Sequence, residues 1–147
     1  MSLILDGTSG ITTPGPVNGA ATMLSPITNS LSGDVALNNT ALYFDGPSVA
    51  QGTSGTWFAS GNVLLQDNAG VATIHVKLWD GTTVIDSAKC RILAINGEVM
   101  ISLSGYITSP AGNLRISARD VTSTSGLIEA NATGNGKDST ITAIRIG

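Results

Sequence analysis

Two glycine-containing turns, each lying between runs of alternating apolar and polar residues, constrain this chain more than any other feature. Asp80-Gly81 separates the alternating residues 74–79 from a second alternating run over 82–92, and Asn96-Gly97 separates that run from a third over 99–107. Such dipeptides adopt the positive φ of tight hairpin turns, and a period of two places apolar side chains on one face of a strand. This part of the sequence therefore predicts consecutive antiparallel hairpins.

Composition extends the same prediction to the rest of the chain. Charged residues make up only 12% and glycine accounts for 18 of 147 residues, which argues against long helices and favours many short strands. We predict an all-β fold, an antiparallel jelly-roll-like or other Greek-key sandwich of about eight strands. The predicted strands are 41–44, 57–66, 74–79, 84–92, 99–107, 114–119, 127–132 and 139–146.

An extended N-terminal arm is predicted over residues 1–35, before a β-sandwich domain over residues 36–147. Within residues 7–34, 19 of 28 positions are Gly, Ser, Thr, Pro or Asn, and no apolar period is present. The arm nevertheless keeps apolar side chains, which favours anchoring to a neighbouring subunit or a larger assembly over a floppy leader. The predicted anchoring residues are Leu3, Ile4, Leu5, Ile11, Val17, Met23, Leu24 and Ile27.

Residues that could carry catalysis or bind a metal are few and scattered. The chain has one histidine, His75, and one cysteine, Cys90, and its acids are isolated turn residues such as Asp67 and Asp80. We therefore expect no enzyme activity, no cofactor and no metal; a calcium loop over 131–138 and an ion held by His75 on a three-fold axis are the alternatives.

A net charge of −3 argues against nucleic-acid binding, and no apolar run is long enough for a secretory signal or a membrane span.

Four residues are candidates for an oligomer interface. Trp79 and Tyr106 lie at the polar-side positions of their strands, where the alternatives are edge packing, a subunit interface or stacking on a sugar ring. The last predicted strand, 139–146, is apolar on both faces, so both faces should be covered. We place Ile141 and Ala143 against neighbouring subunits around a three-fold axis.

Both ends of the chain resemble a known class of protein. The beginning, Leu3-Ile4-Leu5-Asp6-Gly7-Thr8-Ser9-Gly10-Ile11, resembles the start of many tailed-bacteriophage virion proteins. Residues 103–107, 113–117 and 139–146 are similar to the jelly-roll modules that end such proteins, and the layout is similar to trimeric TNF/C1q-like heads on fibres. The resemblance brings no catalytic motif with it, and implies a homotrimer, a virion location and a structural or attachment role.

These expectations favour a non-enzymatic structural protein of a phage virion, made in the host cytoplasm. It would decorate the capsid or form a short fibre as a homotrimer, and its arm would contact capsid or other virion proteins. One alternative is a host-surface glycan-binding attachment module of a tail fibre. A β-sandwich enzyme or a secreted binding domain is the other.

Overall fold

Strands and turns make up the part of the chain that the structure, a computed structural model, describes. This part is residues 25–147, preceded by the backbone of two short strands, β1 (Ile4–Asp6) and β2 (Gly10–Thr12), which pair antiparallel. Residues 25–147 contain no helix, and so none that could cross a membrane. Their ten strands are β3 (Ile27–Ser30), β4 (Val35–Leu37), β5 (Phe44–Val49), β6 (Thr56–Asp67), β7 (Ala72–Trp79), β8 (Val84–Ile92), β9 (Gly97–Thr108), β10 (Leu114–Asp120), β11 (Gly126–Glu129) and β12 (Thr140–Arg145).

Two antiparallel sheets face each other, which confirms the predicted jelly-roll-like sandwich. The four-stranded sheet has the order β5-β10-β7-β8. In the six-stranded sheet, the long strand β6 pairs with β9 along one edge, and with β12 and then β11 along the other. Strands β3 and β4 complete its borders. The prediction missed these two strands because segments of four and three residues are too short to show alternation.

The core lies between the two sheets and follows the predicted alternation. Along β7, Ile74, Val76 and Leu78 are buried, whereas His75 and Lys77 face outward. Ile116 on β10 and Leu65 on β6 are fully buried as well, so both sheets contribute to one apolar layer. Burial of these side chains is the main stabilising contribution to such a sandwich.

The structure corrects the orientation predicted for the last strand. Ile141 and Ala143 are fully buried in the core, because β12 pairs with β6 in a register that sets them opposite Gly61 and Ala59. They therefore do not face a neighbouring subunit, as the sequence analysis expected. The outward residues of this end of the chain are those at positions 142, 144 and 146.

The sandwich also includes residues that the sequence analysis assigned to the arm. Strand β3 pairs with β12, with Ile27 opposite Ala143, and β4 crosses the predicted boundary between residues 35 and 36. Ile27, predicted as an anchor, is thus a partly exposed residue at the sheet border. The side chains of the other predicted anchors, Leu3, Ile4, Leu5, Ile11, Val17, Met23 and Leu24, lie outside the described residues.

Candidate functional site

The outer face of the four-stranded sheet gathers most of the positive charge of this acidic protein. Alternate residues of β7, β8 and β10 point away from the core, and these positions carry five of the seven basic residues of the chain. The one ion pair found within residues 25–147 joins Arg115 Nη1 to Asp45 Oδ2 at 2.7 Å, at the β5 border of this face. We call the five residues the cationic face: Lys77, Lys89, Arg91, Arg115 and Arg119.

Two aromatic rings hold the ammonium group at the centre of the cationic face. Lys77 Nζ lies 3.2 Å from the ring centroid of Trp79 and 4.2 Å from that of Tyr43, the geometry of a cation–π pair. The Trp79 indole donates its N–H to Ser117 Oγ at 2.6 Å, and Ser117 donates to the Asp45 carboxylate at 2.6 Å. Trp79 is therefore a half-buried residue whose ring and N–H already have partners within the chain.

Next to this cluster, one row of the sheet places a histidine between two cations. His75 on β7 is paired in register with Arg119 on β10 and with Lys89 on β8. Arg119 Nη2 lies 3.5 Å from His75 Nδ1. Burial, followed by the positive charges of Arg119 and Lys89, lowers the pKa of His75 below its ordinary value of 6.5. Both effects favour the neutral form of the imidazole.

Within residues 25–147, the positive charge of this row has no carboxylate partner. Arg119 Nη1 makes a long hydrogen bond of 3.5 Å to the carbonyl of Ala41, and the Nε atoms of both Arg119 and Arg115 are buried without a partner. Burial, opposed by Asp45 and reinforced by the two arginines, lowers the pKa of Lys77. Like charges that lower each other's affinity for protons also create a surface that attracts anions.

The outer face of the six-stranded sheet has the opposite character. Its outward positions lie within residues 28–30 (β3), 140–146 (β12 and the residue after it), 56–62 (β6) and 102–108 (β9). None of the residues at these outward positions is charged. Hydroxyl groups pair across the strands, as in Thr28 with Thr142 at 2.9 Å and Thr56 with Thr108 at 3.0 Å. A shallow groove of about 260 Å³ runs over these small polar residues.

An apolar row crosses the same uncharged face. Ile144, Phe58 and Tyr106 lie side by side in register on β12, β6 and β9. Tyr106 is 67% exposed, its ring centroid lies 5.0 Å from that of Phe58, and Ile146 next to this row is 47% exposed. We call the outward residues within 28–30, 140–146, 56–62 and 102–108 the neutral face; Glu98, also outward on β9, lies outside these ranges.

Trp79 and Tyr106, paired in the sequence analysis as interface or glycan candidates, therefore belong to different surfaces. Trp79 is part of the cationic face and Tyr106 part of the neutral face, on the outer sides of two different sheets. The sequence did show cations at alternate positions within single strands. It did not show that β10 lies beside β7, which is what brings Arg119 to His75.

The Asp67 and Asp138 carboxylates have structural partners, and the Cys90 thiol is buried. The buried carboxylate of Asp67 accepts N–H groups of Ala69 and Gly70 at 2.7 and 2.9 Å, which confirms its predicted turn role. In the 131–138 loop, both oxygens of Asp138 bind Thr133. Burial raises the pKa of the Cys90 thiol. No three His, Cys, Asp or Glu residues within the described ranges lie close enough to hold a metal ion.

Comparison with known proteins yields similarities of fold only. No family model and no curated protein matches this sequence. Among solved structures, an Eiger TNF from S. frugiperda aligns at 10% identity and a TM-score of 0.49, covering 84% of this chain and 93% of that one. The PRD1 vertex protein P5 aligns at 16% identity and a TM-score of 0.38, covering 83% and 96%.

A carbohydrate-binding domain also aligns with the backbone of this chain. The C-terminal CBM6 of LamC, a laminarinase of Zobellia galactanivorans, aligns at 11% identity and a TM-score of 0.40, covering 82% of this chain and all of that domain. Identities this low carry no inference about the function of this chain.

Proposed function

We propose that this protein is a non-enzymatic structural protein of a phage virion, which decorates the capsid or forms a short fibre as a homotrimer. The observation that supports an oligomer best is the neutral face. Tyr106 and Ile146 leave large apolar areas in contact with solvent; Tyr106 lies in one row with Phe58 and Ile144, and Ile146 lies next to that row. Contiguous exposed apolar patches on small proteins usually belong to interfaces.

Electrostatics favours this face over the other for contact between copies. Each chain has a net charge of −3, and the cationic face would oppose like charge to like charge if two copies met there. The neutral face has no such cost, because its outward positions hold Ser, Thr, Asn, aromatic and aliphatic residues. Thr and Ser hydroxyls can donate and accept, so they can pair with copies of themselves.

The virion role is supported by the sequence resemblance of both ends of the chain to tailed-phage virion proteins. Residues 1–24 are the segment left for anchoring once β3 and β4 are counted with the sandwich. We propose that this segment contacts capsid or other virion proteins. Its deletion should leave the sandwich folded by circular dichroism and should abolish incorporation into particles. Normal occupancy of the truncated chain on particles would contradict this role.

The oligomer is tested with a charge placed on the neutral face. Light scattering of the wild type should give a mass of three times 14.9 kDa, and Tyr106→Glu should give a monomer, because a carboxylate would be buried in the interface. Leu93→Glu is the matched control, since Leu93 is 72% exposed in the turn after β8 and outside both faces. A wild-type mass near that of one chain at all concentrations, or a trimeric Tyr106→Glu variant, would refute the proposed interface.

A further inference from the structure

We propose that the cationic face binds a linear acidic polysaccharide whose sugars carry carboxylate groups. This inference goes beyond the virion role and does not require it. The cationic face and the neutral face lie on the outer sides of different sheets, so an oligomer formed through the neutral face leaves the proposed binding surface open.

The first step rests on how charge is distributed. The chain is acidic overall, yet five of its seven basic residues lie on the outer face of one four-stranded sheet, with the carboxylate of Asp45 at its border. Concentrating like charges in this way destabilises the folded protein unless something offsets their repulsion. A bound polyanion would offset this repulsion. By charge complementarity, the partner of the cationic face should therefore be an acidic ligand.

The second step rests on donors that the chain leaves unused. Arg115 is neutralised by Asp45, but Arg119 and Lys89, on either side of His75, contact no carboxylate of the part of the chain that the structure describes. Each terminal nitrogen of Arg119 makes one contact at 3.5 Å, Nη1 to the Ala41 carbonyl and Nη2 to His75 Nδ1, and each keeps a second N–H group for a ligand. A guanidinium group can bind a carboxylate through two parallel hydrogen bonds, which a lone ammonium cannot do. The row Arg119, His75, Lys89 is therefore the centre of the proposed site.

The third step distinguishes a sugar chain from other polyanions. Single-stranded nucleic acid is usually held by aromatic rings free to stack on bases, but the rings of Trp79 and Tyr43 already carry the Lys77 ammonium. An acidic peptide usually needs a sheet edge or an apolar pocket for an anchor side chain, and this surface is the open face of a sheet. Carboxylated sugars need only cations and polar partners. The hydroxyls of Thr73 and Ser87 lie at outward positions among the cations.

The size of the face suits several sugar units. Arg115 and Arg119 are four residues apart on β10, which corresponds to about 13 Å along the strand. Three strands, each separated from the next by about 4.8 Å, carry the cations across the sheet. We therefore expect affinity to increase with the length of the oligosaccharide and to fall as salt is added, because the contacts are electrostatic.

The test uses the full chain and polygalacturonate, a linear polymer of carboxylated sugars, in a titration followed by calorimetry. The wild type should bind polygalacturonate and should not bind its fully methyl-esterified form, in which the carboxylates are neutralised. The double variant Lys89→Gln, Arg119→Gln should bind at least about tenfold more weakly, a loss of about 1.4 kcal/mol. The control Lys137→Gln, Arg145→Gln removes two cations outside the face and should bind as the wild type does.

Several outcomes would overturn the inference. They are the absence of polygalacturonate binding, equal losses in the two double variants, and tighter binding of oligothymidylate or poly-glutamate. Circular dichroism of each variant separates a loss of binding from a loss of fold. The Tyr106→Glu variant separates this inference from the proposed oligomer, because its intrinsic affinity per subunit should match that of the wild type.

Discussion

Replacing Ile141 by Ala tests the register of the last strand most directly. Ile141 is fully buried, with Gly61 opposite it on β6 and Asn29 opposite it on β3. A methyl group built on Gly61 would lie 2.9 Å from the Ile116 side chain of the other sheet, so the layer around Ile141 is tightly filled. Ile141→Ala would therefore leave a cavity between backbone segments that cannot close on it.

The expected loss follows from that geometry. Replacing a buried Ile by Ala costs about 2–5 kcal/mol, and the cost is larger where the surroundings cannot collapse. Because paired backbone lies on both sides of Ile141, we expect a decrease of about 3–4 kcal/mol in the free energy of unfolding. For a protein of this size such a loss lowers Tm by about 10 °C.

Urea unfolding, followed by circular dichroism at a fixed subunit concentration, measures this loss. The midpoint should fall while the slope with urea stays unchanged, since a change in midpoint alone reports stability. Leu93→Ala is the control, because its side chain is exposed and its loss should change the free energy of unfolding by less than about 0.5 kcal/mol. If Ile141→Ala keeps wild-type stability but loses the oligomer, Ile141 faces a neighbouring subunit and the register described above is wrong.

Four further changes test other parts of the structure. Gly61→Ala would press a methyl carbon against the Thr140 carbonyl oxygen, so urea unfolding should show a loss of about 1–3 kcal/mol in the free energy of unfolding. Burial opposes ionisation of Asp80, but three N–H groups lower its pKa below 3.8. The Tm of the wild type should therefore fall as the pH is lowered below 3.8, and the Tm of Asp80→Asn should fall less, as thermal melts will show. Burial and then three nearby carboxylates raise the pKa of Glu129, whose Oε2 has no partner within residues 25–147, so its ionised form destabilises the fold. Glu129→Gln should therefore raise Tm at pH 7, and this gain should disappear below pH 4.5. Iodoacetamide should modify Cys90 in urea but not in the native protein, as mass spectrometry will show; rapid native labelling would mean that the thiol is accessible.

The strands and several turns were predictable because they depend on neighbouring residues. The hairpin turn at Asp80-Gly81 joins the paired strands β7 and β8 as expected, with φ of 97° at Gly81. Asn96 also adopts a positive φ of 56°, but the predicted second hairpin is wrong, because β9 pairs with β6 in the other sheet and the turn therefore connects the two sheets. Alternation likewise predicted that Ile74 would face inward and His75 outward, which the structure confirms. A period of two assigns the faces of a strand without reference to the rest of the molecule, provided that only one face is apolar.

The interface residues were not predictable because they depend on pairing between distant segments. β12 is apolar on both faces, so alternation could not decide whether Ile141 or Ile144 points into the core. The register with β6, about 80 positions earlier in the chain, decides it, since a shift of one residue exchanges the two faces. The cationic face arises in the same way, because Arg119 reaches His75 only when β10 lies beside β7. Sequence alone determined the longer strands of this protein and the polarity of most of their faces, whereas the order of strands in the sheets, set by long-range packing, decided which residues share a surface.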